Sequence, residues 1–78
     1  MSLADLITTL RNAGIPDVLY VTDGGLGGRE CYGIEHANQG WMIYYSERGR
    51  KTPLSLHPDE TAACQAMLAL VMRAAGKA

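Results

Sequence analysis

The sequence predicts an α+β fold with the element order α-β-β-β-α, a small antiparallel sheet, and both helices packed on one face of that sheet. Helical patterns stand at the two ends of the chain, at residues 2–13 and 57–75, and the middle is rich in β-branched and aromatic residues divided by glycine-rich breaks. A strand meander between two helices is typical of a sheet that is covered on one side. With 78 residues, the chain is expected to form a single domain, 1–78.

The first helix is predicted to begin at Ser2, a good N-cap residue, with Asp5 three positions later where a capping-box acid stands. Its apolar residues recur at helical spacing and form one stripe: Leu3, Leu6, Ile7 and Leu10. Gly14 suits the left-handed conformation that ends a helix, and Pro16 prevents continuation. We therefore expect a helix over residues 2–13 that buries one face.

Three segments in the middle of the chain have strand character: residues 17–22, 30–36 and 41–47. Residues 53–56 allow a fourth, short edge strand, which Pro53 weakens. The glycine-rich run 23–28 is interpreted as a flexible hairpin loop, because a phosphate-binding loop would lead into a helix and this run leads into a strand. Residues 48–52 are interpreted as a second loop.

The last helix is predicted to open at His57-Pro58-Asp59-Glu60, since proline suits the first helical position and acids suit the positive end of the helix dipole. It runs to about Ala75, and only Gln65 and Arg73 interrupt its apolar character in the middle. Such a helix is buried on more than one side or packs against a partner. The sequence therefore allows a homodimer through this C-terminal helix.

Charge and hydropathy exclude several classes of partner. The formal net charge of −1 gives no general attraction to nucleic acid or to an anionic membrane. Double-stranded-RNA-binding domains share the predicted element order, but their second helix opens with lysines, where this chain has Pro58, Asp59 and Glu60. The longest apolar tract, residues 66–72, is too short to span a bilayer, and no leader pattern is present. We expect no nucleic-acid or membrane partner and a cytoplasmic location.

Four residues of the types that bind zinc lie along the chain: Cys31, His36, His57 and Cys64. Structural zinc sites normally use closer pairs than these. The sequence leaves open a nucleophilic pair of Cys31 with either histidine, but no third orienting residue accompanies it. We predict no catalytic residue, no metal and no cofactor, and we expect both cysteines to be free and mostly buried.

The segment WMIYYSERGRKT, residues 41–52, joins an aromatic strand to a charged turn. Trp41, Ile43 and Tyr45 share one face of the strand, and Met42 and Tyr44 share the other. One set meets the helices, and the other is either an exposed protein-binding patch or is covered by neighbouring side chains. The candidate partner-binding residues are Met42, Tyr44, Ser46, Glu47, Arg48 and Arg50.

The motif Tyr-Tyr-Ser-Glu-Arg-Gly at 44–49, after a tryptophan-led strand, resembles the small bacterial immunity proteins of polymorphic-toxin and contact-dependent-inhibition systems. Gly-Ile-Pro at 14–16, a Gly-Gly turn before a Cys-Tyr strand, and Ala63-Cys64 in a helix that opens with acids extend the resemblance over most of the chain. Leu56 and His57 stand where such proteins carry an aromatic residue. The resemblance implies a non-catalytic protein that binds a cognate toxin and blocks its active site or its docking.

Three hypotheses about function follow from the sequence. The leading one is a small binding protein that neutralises a toxin. The second is a structural or homo-oligomeric interaction module, motivated by the apolar last helix. The third is an enzyme that uses Cys31 or a histidine, for which the sequence offers no complete set of residues.

Overall fold

The computed structural model describes residues 1–77, which fold as a helix, four strands and a second helix. Helix α1 spans Leu3–Asn12 and helix α2 spans Glu60–Ala74, and a short 3₁₀ turn at Asp17–Leu19 leads into the sheet. The strands are β1 (Tyr20–Val21), β2 (Cys31–Ala37), β3 (Gly40–Glu47) and β4 (Arg50–His57). The predicted α+β class is confirmed, with four strands rather than three.

Helix α1 begins as the sequence predicts. The Ser2 hydroxyl accepts a hydrogen bond from the Asp5 N–H, and the Asp5 carboxylate accepts one from the Ser2 N–H. These two bonds satisfy backbone donors that the first helical turn leaves free, and the bond from the Ser2 N–H, followed by the nearby Ser2 hydroxyl, lowers the pKa of the Asp5 carboxylate. The helix starts where its own first turn can be capped.

Helix α2 begins two residues later than Pro58, which was expected to take the first helical position. Asp59 is instead the N-cap, and its carboxylate accepts a hydrogen bond from the Ala62 N–H at 2.8 Å. The next residue, Glu60, uses its carboxylate to accept the Leu3 N–H at 2.8 Å, which ties the beginning of α2 to the beginning of α1. A side-chain cap therefore decides where α2 starts.

The sheet has the strand order β1-β2-β3-β4 and is mixed, because β1 runs parallel to β2 while the other pairs are antiparallel. The prediction of a wholly antiparallel sheet is wrong for β1: residues 22–30 cross the sheet instead of reversing the chain in a hairpin. The predicted loop at 48–52 is also shorter. Arg48 and Gly49, with φ values of 50° and 76°, form a two-residue turn, and β4 starts at the next residue.

The core lies between the two helices and one face of the sheet. Its buried members are Leu6, Leu10, Ile15, Tyr20, Ile34, Ile43, Ala63, Cys64, Met67 and Val71. Both cysteines are free and buried, as predicted, although Cys31 faces away from this core and contacts the loop on the opposite face. Within residues 1–77, neither helix combines the length and the apolar character that crossing a membrane requires.

Candidate functional site

Residues 23–28, here called the strap, cross the sheet face that the helices leave uncovered. Two side chains of β3 hold the strap by its backbone. The Tyr44 hydroxyl donates a hydrogen bond to the Gly25 carbonyl at 2.5 Å, and the Ser46 hydroxyl donates one to the Leu26 carbonyl. The glycine-rich run is therefore anchored to the sheet and is not a free hairpin loop.

Lys51 of β4 provides a third anchor for the strap. Its ammonium group donates to the Gly24 carbonyl and lies 3.3 Å from Oε2 of Glu35 on β2. The same group lies 4.8 Å from the centroid of the Tyr44 ring, within the range of a cation–π contact. Because the ion pair is partly exposed, it contributes little to the free energy of unfolding. Its main effect is to hold the Lys51 ammonium group beside the Gly24 carbonyl of the strap.

The Tyr44 ring lies over Gly33, its partner across strands β2 and β3. A Cβ atom at Gly33 would overlap the ring, so the glycine makes room for the tyrosine. Burial, followed by the nearby Glu35 carboxylate, raises the pKa of Tyr44 to about 12. The phenol is protonated at neutral pH, as any tyrosine is, and the raised pKa keeps it a donor to the strap at pH values above 10 as well.

The strap divides the six candidate partner-binding residues into two groups. Tyr44 and Ser46 are 0% and 1% exposed, so a partner would reach them only after the strap had moved. Met42 and Glu47 are half-buried, and Arg48 and Arg50 are exposed. The sequence left open whether the face of Met42 and Tyr44 is exposed or covered. The structure shows Tyr44 covered by the strap, whereas Met42 remains partly accessible.

The uncovered end of this face contains an apolar groove of about 540 Å³, here called the open-face groove. It is lined by Ala37, Asn38, Gln39, Met42, Pro53, Leu54, Ser55 and Leu56. Leu54 and Leu56 are 47% and 53% exposed, which is unusual for two neighbouring leucines on one strand. Sequence reasoning missed these residues, although two leucines in a segment already assigned to an edge strand were a signal of an exposed apolar edge.

The outer edge of β4 pairs with no other strand in residues 1–77. Edges of this kind attract further strands unless proline, charge or a bulge interrupts them. Here Pro53 lacks a backbone N–H, Arg50 and Lys51 carry charge, and the β3–β4 register shifts between Ile43 and Tyr44. The edge is thus poorly suited to accept a long strand, and its side chains offer the better binding surface.

The thiols and imidazoles that suggested chemistry lie apart. Burial raises the pKa of Cys31, whose sulfur lies 3.7 Å from the Leu26 carbonyl on the strap side of the sheet. His36 lies on the opposite face, where its ring stacks on Trp41 at a centroid distance of 4.5 Å, and His57 is the cross-strand neighbour of the same tryptophan. Within residues 1–77, no three His, Cys, Asp or Glu side chains form a group that could hold a metal ion.

Comparison of the chain with protein-family models, with curated proteins and with solved structures gives no match. The function is accordingly inferred from the accessible surface and from the sequence motif at 44–49.

Proposed function

We propose that this protein is a small, non-catalytic cytoplasmic binding protein of the immunity type, which binds and neutralises a cognate bacterial toxin. The observation that carries the proposal is the open-face groove, an exposed apolar surface on the sheet. The resemblance of residues 44–49 to immunity proteins supplies the class of partner. Neutralisation by binding requires no catalytic step, because the bound protein blocks the surface of the toxin that it covers.

The groove has the composition of the centre of a protein interface. Leu56 and Met42 are cross-strand partners, and both line the groove together with Pro53. Leu56 is 53% exposed, so burying the rest of its side chain stabilises a complex by roughly half of the 1.5–3 kcal/mol of a complete burial. Asn38 and Gln39 supply a polar rim of the kind that surrounds such apolar centres.

The charges near the groove indicate the chemistry of the partner. Arg48 and Arg50 are exposed at the β3–β4 turn, and neither forms an ion pair with another described residue. Arg50 precedes Pro53 by three residues, a distance of about 10 Å along a strand. Arginine binds carboxylates with two parallel hydrogen bonds. The partner is therefore expected to place apolar side chains in the groove and carboxylates at the turn.

The test is binding to a toxin domain encoded beside the gene for this protein, measured by titration calorimetry together with protection of cells that express the toxin. Replacing Leu56 with aspartate puts a charge at the centre of the apolar surface. We expect Leu56→Asp to weaken binding about 30-fold or more, the loss associated with a central interface residue.

Val18→Asp is the matched control, because Val18 is 48% exposed and lies next to β1 at the opposite edge of the sheet. This variant should bind as the wild type does. Equal affinities of Leu56→Asp and the wild type would show that the partner binds elsewhere. Absence of binding and protection for every product encoded beside the gene would refute the proposed function itself.

A further inference from the structure

The strap has few contacts of its own for a segment that covers buried side chains. Four of its six residues are glycine, and Leu26, its only large apolar side chain, is 41% exposed. Within residues 1–77, the main chain of the strap forms no hydrogen bond with the main chain of another segment. The strap is therefore held mainly by side chains that the sheet extends to it.

Three buried side chains lie under the strap: Cys31, Tyr44 and Ser46. The sulfur of Cys31 lies 3.7 Å from the Leu26 carbonyl, and a Cβ atom added to Gly27 would stand 2.8 Å from the same sulfur. The pairing of β2 with β3 includes no residue of the strap, and neither does the core between the sheet and the helices. The strap can therefore leave this face while the sheet and the core stay formed.

Opening of the strap would lengthen the accessible surface along β3. Met42, Tyr44 and Ser46 occupy alternate positions of this strand and share one face, but only Met42 belongs to the open-face groove. With the strap in place, the hydroxyls of Tyr44 and Ser46 donate to its carbonyls. With the strap removed, the same hydroxyls could donate to main-chain carbonyls of a bound protein segment, directly beside the groove.

We propose that the strap is a gate, which opens as a unit while the sheet and helices stay folded and so determines whether a partner reaches Tyr44 and Ser46. Segments with few apolar contacts and few main-chain hydrogen bonds open more readily than a packed core. The closed form offers a partner the open-face groove alone, and the open form offers the groove together with the two hydroxyls. The identity of the partner rests on the proposed function, whereas the opening of the strap does not.

Thiol labelling with a soluble disulfide reagent, carried out without any toxin, tests the gate. Cys31 lies under the strap and Cys64 lies in the core, and trypsin cleavage after Arg48 places them in separate peptides for mass spectrometry. Relative to its rate in the unfolded chain, Cys31 should react about tenfold faster than Cys64 or more. Its rate should change little in dilute urea, because a local opening exposes little surface, whereas the rate of Cys64 should rise steeply.

Two variants separate opening of the gate from unfolding of the whole chain. Tyr44→Phe removes the donor to the Gly25 carbonyl and should speed the labelling of Cys31 about fivefold, the effect of one lost hydrogen bond. Asp59→Ala removes the cap of α2, which is present whether the strap is open or closed. It should therefore speed the labelling of Cys64 and leave that of Cys31 unchanged.

The gate is overturned if Cys31 and Cys64 react at equal relative rates with the same dependence on urea, or if Asp59→Ala accelerates both equally. The outcome is independent of toxin binding. A strap that opens in a protein without a toxin partner would support the gate and refute only the proposed function, and a strap that stays closed would leave binding at the open-face groove intact.

Discussion

Replacing Gly33 with alanine tests how the strap is fixed to the sheet. A Cβ atom at this position would come much closer to the Tyr44 ring than 3.0 Å, a distance below which such contacts are essentially never found. The φ angle of Gly33 is not positive, so the backbone accepts alanine, and the three atoms nearest to the added Cβ all belong to the Tyr44 side chain. The ring must then move, and its hydroxyl loses the carbonyl of Gly25.

The expected cost is the balance of three effects. Overpacking against a buried ring costs about 1–3 kcal/mol, and the lost hydrogen bond costs about 1 kcal/mol. The smaller backbone freedom of alanine in the unfolded chain returns about 0.4–1 kcal/mol. We expect Gly33→Ala to lower the free energy of unfolding by about 2 kcal/mol, out of a total of about 4–12 kcal/mol for a chain of 78 residues.

Urea unfolding measures this loss, and a double-mutant cycle assigns it to the ring. In a Tyr44→Val background the obstacle is absent, so the same glycine substitution should cost less than about 0.5 kcal/mol. Gly28→Ala is the matched control, since a Cβ atom at Gly28 meets nothing within 4 Å. If Gly33→Ala costs the same with and without the tyrosine ring, the contact between Gly33 and Tyr44 does not account for the effect.

Two further predictions concern Tyr44 and the cap of α2. The pKa of Tyr44 is raised from 10.0 to about 12 in the folded protein. The contribution of this shift to the free energy of unfolding is complete below about pH 10. It declines as the pH rises toward 12, because the unfolded chain loses the phenol proton first. Urea unfolding of Tyr44→Phe should show a loss of about 1 kcal/mol at neutral pH and a shallower decline above pH 10; an unchanged decline would contradict the raised pKa. Asp59→Ala should lower the unfolding free energy by about 1 kcal/mol because the Ala62 N–H loses its acceptor, whereas Asp59→Asn, which can still cap the helix, should lie close to the wild type in the same assay.

Features determined by neighbouring residues could be predicted from the sequence. The capping box of α1 needs only Ser2 and Asp5, and helical spacing identified the core positions Leu6 and Leu10. The strong strand at 41–47 was likewise evident from its β-branched and aromatic residues. In each case the determining contacts lie within one or two turns of helix or within one strand, which is the range over which sequence patterns are informative.

The predictions that are wrong concern features that depend on contacts between residues far apart in the sequence. The parallel pairing of β1 with β2 depends on the path of residues 22–30, and that path is determined by side chains on other strands. The extent of β4 depends on the two-residue turn at Arg48, a residue type that seldom adopts positive φ. For the candidate site, alternation correctly placed Met42 and Tyr44 on one face, but only the strap distinguishes the buried tyrosine from the accessible methionine.

The anchoring of the strap also determines which substitutions can alter its course. Its acceptors are the main-chain carbonyls of Gly24, Gly25 and Leu26, a feature that every amino acid possesses. Its donors are the specific side chains of Tyr44, Ser46 and Lys51, about twenty or more positions further along the chain. The path of the strap therefore depends on residues outside it as well as on its own Gly24 and Gly27, whose φ angles of 81° and 71° favour glycine. The exposed side chain of Leu26 can therefore be replaced without loss of these bonds, whereas substitutions at Tyr44, Ser46 or Lys51 would change the path of the strap.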